Sequence, residues 1–190
     1  MSFVQNFPFF SIILCLLCAV LSYALPHRAG RRLTVALLCL STVMQGCVLF
    51  HCAAGNESFS YMMGHYPAPW GNEIMAGVLE PLMALVFSAV MLLSVLGGSR
   101  HIEHDVREGS RSLYWVMIDL TLVSLLALAY TNDIFTGYVF IEVCTIASCG
   151  ILCARESGRT LLASIRYMVF SLVGSGLFLI GVVYLYAVTG

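Results

Sequence analysis

Six apolar runs, each near the length a helix needs to cross a bilayer and each set off by polar segments, leave this chain little choice but to thread a membrane repeatedly. The runs place helices at residues 3–25, 33–54, 74–96, 113–130, 134–153 and 164–188, read together as a single membrane domain over 1–190. Composition agrees, with 60% of residues hydrophobic and 10% charged, and a mean hydropathy of +0.93. A soluble domain cannot hide that much apolar surface. A net charge of −1 gives no electrostatic case for nucleic acid. The first run lacks a basic flank and is followed by Pro26, so it reads as a retained helix rather than a cleaved signal.

Arginine assigns the sides. The chain has no lysine, so all nine of its basic side chains are arginines. Arg28, Arg31 and Arg32 fall in the first loop, Arg100, Arg107 and Arg111 in the third, and Arg155 and Arg159 in the fifth, with Arg166 just inside the sixth helix. The second and fourth loops and both termini have none. By the positive-inside rule the odd loops are cytoplasmic and both termini are external. The second loop, Gly55–Glu73, holds Pro67 and Pro69, which prevent regular helix, and Phe59, Tyr61, Tyr66 and Trp70, which suit a membrane interface. The third, Gly97–Ser112, reads as a solvated loop. Its His101 and His104 are spaced like metal ligands, but no further ligand pattern follows. Of the eight cysteines, seven lie inside apolar runs and Cys52 at the end of one, where the thiol behaves as a small apolar group rather than part of a disulfide framework.

The fifth run, NDIFTGYVFIEVCTIASCGILC (Asn132–Cys153), carries Glu142 near its middle. Helical spacing puts Tyr138, Thr145 and Cys149 on the same face as that acid. An acid at that depth costs roughly 2.5–3.5 kcal/mol to insert, so it must face protein or a water-filled path. Two readings stay open: a group in an ion path, or a protonated acid that only joins two helices. Asp119, inside the fourth run, also needs a partner, and Arg166 enters the sixth from the same side, which makes an Asp119–Arg166 pair the expected tie. Glu80 precedes Pro81, so the third helix can begin there with Glu80 as an interfacial acid at its N-terminus.

Three stretches resemble one family. YTNDIFTGYVFIEVCTIASCGIL is similar to the fifth-helix signature of the antiporter-like subunits shared by Mrp-type Na⁺/H⁺ antiporters, complex I and energy-converting membrane hydrogenases. HYPAPWGNEIMAGVLEPLMAL (His65–Leu85) resembles that family's aromatic-Pro-x-Gly loop into helix three, with Glu80 where aspartate is usual. RYMVFSLVGSGLFLIGVVYLYAVTG (Arg166–Gly190) resembles its sixth helix and closing Tyr-x-x-Thr-Gly. The D-type subunit of the Mrp antiporters and the hydrogenase-associated branch are the nearest in flavour. The resemblance implies an all-α membrane protein, the N-terminal part of the antiporter-like fold, with Glu142, Tyr138 and Thr145 in the ion path. Full-length members have about fourteen helices built on two inverted repeats. The family's partner for the fifth-helix acid is a lysine on helix seven, which this sequence lacks. The chain is therefore expected to be half of a split subunit, or a truncated relative completed by neighbouring chains, one of which supplies that lysine.

The resemblance further implies a multi-pass protein of a prokaryotic cell membrane that works among the other subunits of a multisubunit complex. No cofactor motif, no metal ligand set and no catalytic residue is apparent, so redox chemistry falls to other subunits. The favoured reading is an ion-translocating subunit moving protons or sodium. Against it stand a structural scaffold with a protonated, non-transporting Glu142, and a membrane enzyme, for which the acids and histidines are too scattered.

Overall fold

Backbone amides and carbonyls inside lipid must pair with one another, and this chain satisfies them with six long helices, each apolar enough to cross a membrane. The computed structural model describes residues 3–55, 58–62, 71–155 and 157–189. After a 3₁₀ turn at Phe3–Asn6 come α1 (Phe7–Ala24), α2 (His27–Gly55), β1 (Phe59–Met62), β2 (Glu73–Ala76), α3 (Leu79–Asp105), a 3₁₀ turn at Glu108–Ser110, α4 (Arg111–Tyr130), α5 (Ile134–Cys153) and α6 (Gly158–Thr189).

Several helix limits differ from the sequence reading, each for a local reason. α2 starts at His27 instead of Leu33, because the Pro26 carbonyl accepts from the amides of Ala29 (2.8 Å) and Gly30 (3.0 Å) and arginine is a good helix former. The basic loop is therefore the first turns of a helix. α3 starts at Leu79 instead of Ile74, because Ile74 is taken into β2 and Glu80-Pro81 opens the helix where a missing N–H costs nothing. The same helix runs on to Asp105, so much of the expected third loop is helical. α6 starts at Gly158 instead of Ser164, and the Ser157 hydroxyl accepts from the Thr160 amide at 3.2 Å as a cap. Of the expected interfacial aromatics, Phe59 and Tyr61 lie in β1, while Tyr66, Trp70, Pro67 and Pro69 lie outside the described residues.

β1 and β2 pair antiparallel, with Phe59 opposite Ala76 and Met62 opposite Glu73. Ile74 bridges to Thr131, and the Asn132 amide donates to the Glu73 carbonyl at 3.0 Å. The Asn132 side-chain amide donates to Glu73 Oε2 at 2.9 Å. Hydrogen bonds from Asn132 and Ser60 hold the Glu73 carboxyl below its ordinary range. The hairpin thus clasps the α4–α5 turn at the end of the bundle opposite the arginines.

The core lies among α1, α2, α3 and α4, with Leu38, Val48, Leu122, Leu126, Trp115 and Tyr130 buried at its centre. α5 packs on α4, and α6 packs on α5. Most of α6 is left bare, including Phe170, Val173, Leu177 and Val183, as an apolar face in contact with lipid or another chain must be.

The arginine asymmetry predicts a topology that single cysteines in a cysteine-depleted background will check. A cysteine at Ser58 should react with an impermeant maleimide added from outside and one at His101 should not. The reverse pattern overturns the orientation.

Candidate functional site

α5 is fixed at its start by Asp133. Its carboxylate accepts from the amides of Phe135 (3.4 Å) and Thr136 (2.8 Å), the Thr136 hydroxyl (2.5 Å) and, across from α6, the Tyr186 hydroxyl (3.3 Å). Partial burial pushes this acid up, but the bonds from Thr136, Phe135 and Tyr186 outweigh it and leave the carboxyl below the ordinary aspartate range. A depressed value means the cap's stabilisation is complete above the unfolded pKa and vanishes as pH falls through the folded one. Asp133→Ala should therefore cost about 1 kcal/mol at neutral pH. In thermal unfolding the gap between variant and parent should close in the acid range below the ordinary aspartate value. A gap that persists there would show that the side chain acts by something other than its charge.

Toward α4, α5 presents glycines. Gly137 lies against Leu128 and Thr131, and a Cβ at Gly150 would stand 2.8 Å from the Met117 side chain. Toward α6 it presents the face expected from the sequence. Tyr138 stacks on Phe178 with ring centroids 6.4 Å apart and an interplanar angle of 12°. The hydroxyls of Thr145 and Ser171 are 3.0 Å apart, and Cys149 Sγ donates to the Ser164 carbonyl at 3.9 Å. These contacts run antiparallel, so Gly174 is the α6 residue level with Glu142. Gly174 is itself exposed and a Cβ there would meet no atom within 4 Å, while the adjacent Ser175 is the buried α6 side chain near that depth. Helical spacing carries Glu142 between Tyr138 and Thr145, near the middle of α5. It is half-buried, and among the described residues no hydrogen bond or ion pair reaches its carboxylate. The structure brings Tyr138 and Thr145 to the α5–α6 interface, and helical spacing sets Glu142 on the same side of α5.

Asp119 has a different setting. It is wholly buried, and its Oδ2 accepts from the hydroxyls of Ser22 on α1 (2.9 Å) and Thr34 on α2 (3.1 Å). Its Oδ1 is buried with no partner among the described residues. The expected pairing with Arg166 is not formed. Arg166 is exposed on α6, α5 stands between α6 and α4, and hydroxyls from α1 and α2 occupy the carboxylate instead. Glu80 sits in the first turn of α3, where its Oε2 accepts from the Gly77 amide at 2.7 Å.

Sequence reasoning missed that Asp119 ends a buried polar seam. Cys15 Sγ and Ser41 Oγ lie 3.7 Å apart, Gln45 Nε2 donates to Ser11 Oγ at 3.1 Å, Ser11 donates to the Pro8 carbonyl at 2.8 Å, and the Tyr130 hydroxyl donates to Gln45 Oε1. The signal was present as spacing: Ser11, Cys15 and Ser22 on α1, like Thr34, Ser41 and Gln45 on α2, are separated by steps that keep one helix face.

Known proteins match this chain along nearly its whole length. The family described as NADH:quinone oxidoreductase/Mrp antiporter, TM, matches residues 131–190. The D-type subunit of the Na(+)/H(+) antiporter of Bacillus subtilis is 30% identical over 188 residues, covering 98% of this chain and 37% of that protein. The N-type subunit of the NADH-quinone oxidoreductase of Desulforudis audaxviator is 27% identical over 168 residues, 88% of this chain and 32% of that protein. The chain is thus similar to antiporter-like membrane subunits, with the family match confined to α5 and α6. Solved structures carry the same fold. A chain of the membrane-bound sulfane sulfur reductase, an archaeal respiratory membrane complex, superposes with a TM-score of 0.87 at 24% identity, over 96% of this chain and 37% of that one. A chain of the Mrp complex from a Dietzia species gives 0.87 at 22%, over 100% of this chain and 35% of that one.

The chain thus spans roughly a third of the length of the relatives it matches. The family match takes in α5 and α6, the two helices whose interface holds Glu142, Tyr138 and Thr145. The Asp119 seam lies in α1, α2 and α4, ahead of the matched segment.

Proposed function

We propose that the antiporter-like chain forms part of an ion-translocating unit, moving protons or sodium within a multisubunit respiratory or hydrogenase-type complex of a prokaryotic inner membrane. Glu142 is the group that takes and gives the proton. One observation carries this reading: a half-buried acid near the middle of a membrane-spanning helix, with no hydrogen-bond or ion-pair partner among the described residues. Desolvation alone favours the neutral form of a buried acid, while an approaching cation favours the anion. A movable cation from another polypeptide would switch Glu142 between the two, and a lysine-bearing neighbour is the partner such a site requires.

The alternative, protonated glue between helices, has less to do here. The Tyr138–Phe178 stack, the Thr145–Ser171 hydroxyl pair and the Cys149–Ser164 contact already join α5 to α6 without Glu142. Ion flux in vesicles containing the assembled complex decides between them. Loss of flux in a fully assembled Glu142→Gln complex supports transport, and parental flux reduces Glu142 to a structural group.

A further inference from the structure

We propose that the cavity between the first turns of α2 and the distal part of α3 seats one anionic phospholipid, its phosphate on the arginines and an acyl chain on the aliphatic floor. The cavity has a volume of about 520 Å³ and is lined by Arg28, Arg31, Arg32, Val35, Ala36 and Leu96. The five α2 residues fall at i, i+3, i+4, i+7 and i+8, the spacing of a single helix face. Along that face the chemistry changes from guanidinium to aliphatic within one turn, as a membrane changes from headgroup to hydrocarbon. The arrangement exists because residues 27–32 are helical; in an irregular loop the three arginines would share no face with Val35 and Ala36.

Every charged residue lining the cavity is an arginine. Arg28 lies in the first turn of α2, at the positive end of the helix dipole, and no acid stands in that turn. Arg28 and Arg32 are exposed. Guanidinium groups match phosphate oxygens in pairs and tolerate the membrane edge by laying their stems along apolar surface. The other wall is supplied by Leu96 of α3.

The floor identifies the occupant. A free phosphate or an acidic peptide from the aqueous side would satisfy the arginines but leave Val35, Ala36 and Leu96 uncovered. A phospholipid covers both, and basic pockets between membrane helices take such headgroups. The site is independent of Glu142 and of the transport reading.

Native mass spectrometry of the assembled complex, exchanged into mixtures of phosphatidylglycerol and phosphatidylcholine, tests the assignment. One phosphatidylglycerol should stay bound per copy of this chain. Arg28→Gln and Arg32→Gln should weaken retention about fivefold each, and the matching lysine variants should keep most of it. Ala36→Trp, which fills the floor without changing charge, should expel the lipid as well. Arg155→Gln with Arg159→Gln, at the α5–α6 turn, should change nothing. Equal retention of phosphatidylcholine, parental retention in a variant combining Arg28→Gln with Arg32→Gln, or displacement by millimolar inorganic phosphate would each overturn the proposal. The last outcome would mark an aqueous anion site, and failure of lipid to exchange because another polypeptide covers the arginines would overturn it too.

Discussion

Glu142→Gln is expected to leave assembly intact and to cut ion transport by the assembled complex about tenfold or more, about 1.4 kcal/mol or more in the barrier. The amide has the shape of the protonated acid and takes no proton. The contacts that join α5 to α6 are made by Tyr138, Thr145 and Cys149, so nothing holding the helices together is removed. Glu142→Ala should lose transport and also lower the yield of complex, because it removes a half-buried side chain from the middle of α5. Glu142→Asp keeps a titratable group but draws it back by one methylene, so part of the flux should survive. Sodium and proton flux in vesicles, read beside the stoichiometry of the complex, separates the three variants. Parental flux in the glutamine variant would defeat the proposed role.

Asp119→Ala should be the most damaging change for stability. It strips the acceptor from two buried hydroxyls, Ser22 and Thr34, and leaves a void at a wholly buried site among α1, α2 and α4. Unsatisfied buried donors cost about 1–3 kcal/mol, though hydroxyls on membrane helices can turn back to their own carbonyls and soften the loss. Asp119→Asn retains an acceptor for both hydroxyls and should cost less. The sharper test is Asp119→Leu combined with Ser22→Ala and Thr34→Val. Replacing every partner of a polar cluster with apolar groups of like shape removes the desolvation cost together with the bonds, and such exchanges are often near neutral. The triple variant should recover most of the thermal stability lost in Asp119→Ala. If it is no more stable than the single variant, the cluster is not a self-contained polar joint and Asp119 reaches something beyond Ser22 and Thr34.

The transmembrane plan was legible because a run of apolar residues admits one solution in lipid. Glu142 was legible for the same reason, since a lone acid in such a run stands out and helical spacing names its neighbours. Asp119 stood out equally, yet its partners did not. Charge reasoning looks for a cation, whereas serine and threonine hydroxyls are ordinary residues in membrane helices and carry no mark that they converge. The start of α2 was hidden by the habit of reading arginine clusters as loops, although arginine continues a helix readily. The β1–β2 hairpin was hidden because its register joins Phe59–Met62 to Glu73–Ala76 across a proline-containing segment, a pairing that no local pattern announces.

The order in which the helices are stacked gives the molecule a gradient of compliance. α1 to α4 share one core, and side-chain bonds tie α1, α2 and α4 together at several depths, from Ser11 and Gln45 to Ser22 and Asp119. α5 rests on α4, and α6 rests on α5, like plates leaned in series against a wall. Local opening is easiest where buried contacts are fewest. A displacement imposed from outside would therefore be taken up mainly at the last joint, between α5 and α6. That joint is the one that contains Glu142. Within the six helices described, the braced set of α1 to α4 is thus the stiff side of the fold and the α5–α6 joint the more compliant one.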